Sequence, residues 1–228
     1  MNFKYYLSIA VVILMITVIG TSANAQIIKG AAIVGLNASQ VEGDEVKGFD
    51  KLGFDIGAAA IVPFAGNWSF TLEGLYTQKG SFSRNKFMYG TPPEGVPYQY
   101  SLKLNYVEIP VLIHYTDKDI IRGGVGFSYS RLLGGEEKEF QKITKPVETL
   151  YKKDDYNLLA DVQVRLFQNL WMDMRYSYSL VPIRERVFTD SKGNKMDREQ
   201  FNNSLSLRLI WVFKEEKINR RYRELRKQ

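Results

Sequence analysis

The stretch Tyr156–Leu180 reads YNLLADVQVRLFQNLWMDMRYSYSL, and its period decides the fold. Tyr156, Leu158, Ala160, Val162, Val164 and Leu166 alternate with Asn157, Leu159, Asp161, Gln163 and Arg165. After Phe167-Gln168-Asn169 the alternation resumes, with Leu170, Met172, Met174, Tyr176, Tyr178 and Leu180 against Trp171, Asp173, Arg175, Ser177 and Ser179. Only an extended strand sends neighbouring side chains to opposite faces, so a period of two held over both runs predicts a β-hairpin. One face is apolar and aromatic, the other charged and small. Each run matches the ~9–11 residues that a tilted strand needs to cross a bilayer.

Six further runs share this pattern: Ile27–Asn37, Lys51–Val62, Trp68–Lys79, Tyr100–Tyr115, Ile120–Leu133 and Phe201–Phe213. The fourth changes phase near Tyr106: Leu102 and Leu104 are apolar on one parity, Val107, Ile109, Val111 and Ile113 on the other. A β-bulge at Tyr106 is the expected cause, and Pro110 suits an irregular ladder position. Connections alternate between long and polar (38–50, 80–99, 134–154, 183–200) and short (63–67, 116–119, 167–169). All long loops therefore gather at one end. The prediction is an all-β, eight-stranded antiparallel up-and-down transmembrane β-barrel with both chain ends on the short-turn side. A soluble lipocalin-like barrel, its faces inverted, is the alternative fold.

The N-terminus carries Lys4, the apolar run Leu7–Ile19 and the small-x-small site Ala23-Asn24-Ala25 before Gln26. This is the pattern of a cleaved secretory signal. The expected organisation is signal peptide 1–25, barrel 26–213 and basic tail 214–228. The formal charge is +6, but the tail alone holds seven Lys or Arg against three Glu, which leaves the barrel nearly neutral and gives no reason to expect nucleic acid as a partner. With 0 Cys and 1 His, disulfides, thiolate chemistry and zinc sites built on Cys or several His are excluded, and no cofactor or metal is expected.

Two features favour lipid outside the barrel. Aromatics flank the runs at both ends, with Trp68, Trp211 and Phe213 near the short turns and Tyr76, Tyr129, Tyr176 and Tyr178 near the long loops, as in interfacial girdles. Trp171 falls on the polar parity, which suggests a place in the turn. The polar faces carry Lys29, Lys103, Arg122, Arg165, Arg175 and Arg208 against Asp55, Glu73, Glu108, Asp161 and Asp173. Nearly matched charge among small residues suits a narrow interior, where an unpaired charge costs several kcal/mol, on the order of a buried ion's desolvation. The expected interior network is Lys29, Asp55, Glu73, Glu108, Arg122, Asp161, Arg165, Asp173, Arg175 and Arg208.

The stretch Leu104-Asn105-Tyr106-Val107-Glu108-Ile109-Pro110-Val111-Leu112, followed by the Gly-rich Gly123-Gly124-Val125-Gly126-Phe127-Ser128-Tyr129, resembles the PorT-type outer-membrane β-barrel proteins of the Bacteroidota. The resemblance implies an outer-membrane barrel and, from one member of that wider family, a role in type IX protein secretion. Trp211-Val212-Phe213 resembles the aromatic-terminated signal read by the barrel-assembly machinery, although fifteen residues follow it.

The same carboxylates and arginines could serve acid–base chemistry, with Glu73 and Glu108 as candidates, but a structural charge network is the preferred reading. His114 has no serine at a suggestive spacing and reads as structural. No catalytic, cofactor or metal residue is assigned, and the chain is not expected to be an enzyme. Its expected role is that of a structural or interaction protein, an accessory of secretion on the family resemblance. Surface ligand binding or adhesion through the long loops is the alternative, and an outer-membrane enzyme the third. Expected partners are outer-membrane lipid, the barrel-assembly machinery and a periplasmic or secretion-complex protein contacting 214–228. That tail reads either as a short amphipathic helix, from Ile218, Tyr222 and Leu225, or as a frayed end.

Overall fold

The computed structural model describes residues 28–44, 46, 48–83, 100–139, 142–189 and 195–213. The expected signal 1–25 and tail 214–228 lie outside them. Among the described residues ten strands follow in order: β1 Lys29–Glu42, β2 Lys51–Ala65, β3 Trp68–Ser83, β4 Tyr100–Asp117, β5 Ile121–Glu139, β6 Lys142–Pro146, β7 Asp154–Arg165, β8 Leu170–Ser179, β9 Arg184–Thr189 and β10 Lys195–Val212. A 3-10 turn, Val147–Thr149, follows β6.

Eight of the strands close a ring. Neighbours pair antiparallel in the order β1-β2-β3-β4-β5-β7-β8-β10, and β10 returns to β1 with a register running from Ala31 opposite Val212 to Glu42 opposite Phe201. Closure leaves the ring without an edge. The short β6 and β9 pair with the far ends of β5 and β10, so the long polar connections at 134–154 and 183–200 contain hairpins that extend the sheet past the ring. At the opposite end the turns are tight. Between β4 and β5 only three residues intervene, and two of them, Lys118 and Asp119, take positive φ, 50° and 56°, the left-handed backbone form of a tight turn. Both ends of the ring's chain meet here, where the Phe213 amide donates to the Gly30 carbonyl at 2.8 Å.

The alternation is read out as two faces. Val34, Leu36, Ile56, Leu72, Val111, Ile113, Phe127, Leu158, Met174, Leu205, Leu207 and Leu209 all point outward and exposed. In water such a continuous belt would far exceed the few hundred Å² that a soluble monomer shows; against lipid it is the expected surface. The faces are not inverted, which removes the lipocalin-like alternative. The seven girdle aromatics Trp68, Tyr76, Tyr129, Tyr176, Tyr178, Trp211 and Phe213 also point outward, at the two rims. Several meet neighbours there: Trp68 stands edge-on to Tyr115 at 5.1 Å between centroids, Tyr129 tilts on Tyr156 at 5.5 Å, and Tyr178 stacks on Phe201 at 6.2 Å.

The expectation of a bulge in β4 at Tyr106 is corrected. Tyr100, Leu102, Leu104, Tyr106, Glu108, Leu112 and His114 are all buried, an unbroken parity along the strand. The register slip belongs to the partner: Asn105 pairs with Gly134 and Tyr106 with Leu132, so the extra residue is Leu133 on β5. What changes near Tyr106 is the surroundings. Below it the outside is apolar and the inside polar; above it the strand leaves the belt, and its inward side chains join an apolar core. Pro110 does mark a gap in a ladder, since β3–β4 pairing passes from Leu72–Val111 to Leu75–Glu108 without a pair between, where proline has no N–H to give.

Candidate functional site

An eight-stranded ring is narrow enough for side chains from opposite walls to meet. Two ion pairs arise locally from register. Asp161 lies opposite Arg175 across β7–β8, and Arg208 opposite Asp173 across β8–β10. Arg175 donates to Asp161 Oδ2 from Nη2 at 2.6 Å and from Nε at 3.2 Å. Arg208 donates from Nε to Asp173 Oδ2 at 2.6 Å. Its Nη2 stands 2.6 Å from the same oxygen, an ion-pair contact without hydrogen-bond alignment. Glu73, from the far wall on β3, joins them: Arg175 grips both its oxygens at 2.7 and 2.8 Å, and Arg208 Nη1 donates to Oε2 at 3.1 Å. All five are at most 5 % exposed.

The network continues through a residue the sequence reading set apart. His114 places Nε2 3.0 Å from Asp161 Oδ1 and Nδ1 3.0 Å from Thr71 Oγ1. His114 is on β4 and Asp161 on β7, with β5 between; the intervening residue in register is Gly124. A Cβ there would stand 2.3 Å from His114 Cδ2 and 2.5 Å from Asp161 Oδ1. The missing side chain is what lets the two meet. Gly35, between Asp55 and Arg208, leaves room in the same way: an added Cβ would lie 2.5 Å from Arg208 Cγ.

A second pair lies nearer the long loops. Lys79 Nζ is 3.1 Å from Glu108 Oε2, both almost wholly buried. Asp55 accepts from Asn37 Nδ2 at 2.7 Å and Thr77 Oγ1 at 2.5 Å. Lys79 was absent from the expected network although its odd position on β3 shares the parity of Glu73 and Thr77; parity alone would have found it.

Two expected members stand elsewhere. Arg165 is the last residue of β7 and half-buried; it donates to the Gln168 carbonyl from Nη2 at 2.8 Å and to the Asp119 carbonyl from Nη1 at 3.2 Å, bridging two short turns. Lys29, first residue of β1, lines the mouth at the same end. Neither reaches the central carboxylates, because strand ends put their side chains at the rim. Lys103 lies on the outer face beyond the belt, since β4 keeps its parity. Arg122 is inside but apart, donating to Thr116 Oγ1 at 3.1 Å and Gln163 Oε1 at 3.2 Å. Trp171, expected in the turn, faces inward at 1 % exposure, its ring 4.3 Å from the Arg122 guanidinium and 5.2 Å from that of Arg165.

The long-loop end is capped. Strand residues Val41, Leu102, Leu104, Tyr106 and Leu132 pack with Val46, Val147, Tyr151 and Ile183 from the connections, all buried. Arg184 Nη1 donates to Glu137 Oε1 at 3.2 Å and to Tyr151 Oη at 2.9 Å, and Tyr100 Oη donates to Glu137 Oε1 at 3.0 Å. Burial, with the Glu137 carboxylate nearby, pushes the Tyr151 phenol up to about 12. Beneath the cap, Asn202 Nδ2 donates to Asp155 Oδ2 at 2.9 Å and Tyr106 Oη at 3.2 Å, tying β10 to β7 and β4.

The outer membrane protein beta-barrel domain family matches this chain over residues 28–185, more than half its length. The chain belongs to the outer membrane β-barrel family. The match stops before β10, the strand that closes the ring. No curated protein matches the sequence significantly. Among solved structures, this outer membrane barrel is similar to Neisserial surface protein A (11 % identity, 81 % of this chain and 97 % of that one, TM-score 0.47). It is similar also to a major outer membrane protein from Thermus thermophilus (14 %, 82 % and 100 %, 0.47) and to Ail, the attachment invasion locus protein of Yersinia pestis (14 %, 81 % and 99 %, 0.45).

In this outer membrane barrel the central carboxylates share the two guanidiniums, and the paired side chains occupy the lumen. Beside Arg175, Arg208, Lys79 and Glu108 the free space is about 10 Å³, scarcely a single water's worth. Among the described residues no three His, Cys, Asp or Glu side chains converge as a metal-ligand set.

Proposed function

We propose that this outer membrane barrel is a non-conducting, non-enzymatic scaffold that works through interaction. The observation that carries this reading is the double closure of the lumen, by the Glu73–Arg175–Asp161–Arg208–Asp173 network at mid-height and by the apolar cap above it. A channel needs an open path, and acid–base chemistry needs substrate to reach the carboxylates; buried, mutually paired groups offer neither. In this reading the capped end faces the cell exterior, both chain ends lie in the periplasm, lipid covers the outward belt and the barrel-assembly machinery inserts the chain. The resemblance to PorT-type proteins supports a specific role as an accessory of type IX-like protein secretion, with a periplasmic or secretion-complex protein at the tail 214–228.

Two experiments test this. In planar bilayers the folded protein gives no steady conductance; stepwise open-channel currents would refute the scaffold reading. Photo-cross-linkers placed at 214–228 in intact cells capture secretion-complex proteins. Capture of none, with an unchanged secretome in a deletion strain, counts against the secretion role. A second reading, surface ligand binding or adhesion, draws support from the packed core under the loops, which would hold a recognition surface rigid. It predicts that shortening 134–154 abolishes binding at the cell surface while tail cross-links persist.

A further inference from the structure

Beyond the girdle at the long-loop end, the outer wall of the ring gathers ammonium groups from three strands. Ser101 and Lys103 point outward on β4, and across the β4–β5 ladder they stand opposite Lys138 and Glu136. Lys138 Nζ lies 2.7 Å from Glu136 Oε2. Lys51, first residue of β2, reaches past β3 and donates to Ser101 Oγ at 3.0 Å. Burial and the ammonium groups of Lys103 and Lys138 lower the pKa of Lys51. Lys138, with Lys103 and Lys51 behind it, holds the Glu136 carboxyl below its usual range. Three lysines thus surround one carboxylate. Other acids nearby do not reverse the sign. Glu148 lies by Gly134, one step lower on the wall, and Asp50 lies beside Gly48, which is tied to Gln40 on the β1 side. Arg131 and Asp154 pair with each other. The height of the cluster is fixed by the girdle. Asn105, one pleat nearer the belt than Lys103, accepts from Gln78 Nε2 at 3.2 Å, and the same nitrogen donates to the Tyr76 hydroxyl at 3.4 Å. Two residues of strand rise about 7 Å. Lys103 therefore stands in the polar layer that a bilayer adds outside its hydrocarbon core.

We propose that this cluster binds the phosphate of a lipid headgroup in the leaflet around the capped end, with Lys51, Lys103 and Lys138 as its ligands. The proposal rests on the reading of the outward belt as covered by lipid, and adds one defined lipid contact to it. Ammonium groups held together repel one another, and a phosphate among them replaces repulsion with charge-assisted hydrogen bonds. Lysine stems lie along a wall while their heads reach the headgroup layer. The same wall continues downward into Val107, Ile109 and Leu133, all exposed on the outer face, so the acyl chains of that lipid have an apolar surface directly beneath its phosphate. A soluble anion has no use for that surface, which is why the occupant is a lipid.

The test uses the full mature protein in nonionic micelles, with lipid adducts followed by native mass spectrometry during titration with dioleoyl phosphatidic acid. Dioleoylglycerol, which has the same chains and no phosphate, is the control. The expected result is a saturable phosphatidic acid adduct that the control does not form. Lys51→Gln and Lys103→Gln should each weaken it about fivefold, the effect of removing one positive charge near an anionic lipid surface. Lys118→Gln removes the same charge from the exposed turn at the opposite end and should leave the adduct unchanged. Heat-modifiable gel mobility shows that each variant is folded. Equal adducts with both lipids, no loss in the cluster variants, or the same loss in Lys118→Gln would overturn the proposal. Displacement of the lipid by equimolar glycerol 3-phosphate would overturn it too, since the site would then take a soluble anion. A folded barrel that binds neither lipid sinks the headgroup site alone, whereas a mature chain soluble without detergent would sink the lipid-covered belt itself.

Discussion

Arg175 on β8 and Glu73 on β3 meet across the lumen, 102 residues apart in sequence, with one guanidinium nitrogen on each carboxylate oxygen at 2.7 and 2.8 Å. The same guanidinium holds Asp161 at 2.6 Å. One side chain thus binds two carboxylates from different walls, and its planar fork suits that task as a lysine would not.

Replacing Arg175 with methionine keeps most of the volume and leaves Glu73 and Asp161 short of a partner. Breaking a buried pair in this way costs about 3–5 kcal/mol. The urea unfolding midpoint of the refolded barrel, followed by tryptophan fluorescence, should fall accordingly, and adding Glu73→Gln should restore part of it. An unchanged midpoint would mean that the network does not support the fold.

The two adjacent glycines of β5 separate space from composition. Gly124→Ala pushes a methyl between His114 and Asp161, where overpacking costs about 1–3 kcal/mol. Gly123→Ala points outward, with nothing within 4 Å of the added carbon, and should leave stability nearly unchanged. Parallel unfolding curves decide; equal effects would exclude the steric account.

Leu207 is 56 % exposed on the outer face, where a soluble protein would accept lysine readily. Facing lipid near mid-belt, Leu207→Lys should destabilise the barrel by about 2–4 kcal/mol. Asn105→Lys, on the same face beyond the belt, should change stability by roughly 0.5 kcal/mol or less. Unfolding in bilayers rather than micelles makes the contrast.

The cap should loosen in strong base. Tyr151 is held neutral, with its phenol raised from 10.0 to about 12, so folding favours the protonated form. That contribution is complete below pH 10 and disappears as pH rises from 10 towards 12. Amide exchange in the segment around residues 147–153 should quicken over this window in the native protein. In Tyr151→Phe, which has no phenol to ionise, the pH dependence should be shallower.

Much of the ring was legible because alternation is stereochemical and local. In Tyr156–Leu180 every second residue names its face, and the loop lengths supply the direction of each strand. Membership of the charge network was less so. Asp161, Arg175, Asp173 and Arg208 meet through cross-strand register. Lys29 and Arg165 share their parity yet stand at strand ends, a matter of height that period two cannot express. His114 was set apart because nothing near it in sequence resembles a partner; Asp161 and Thr71 reach it only once β3, β4, β5 and β7 are aligned and Gly124 leaves the gap.

The phase change at Tyr106 carries the same lesson. Apolar residues point out where lipid is the solvent and in where water is, so one unbroken strand that crosses the membrane boundary inverts its pattern without a bulge. The sequence by itself determined the strands, their faces, the two girdles and the ends at which loops gather, because these follow from backbone geometry and side-chain polarity over short distances. Only the tertiary structure decided that Leu102, Leu104 and Tyr106 belong to a cap, that Trp171 lies inside between two arginines, and that Glu73 closes with Arg175. Those facts depend on ring closure, which sets what stands opposite what across the lumen, and no local pattern records it.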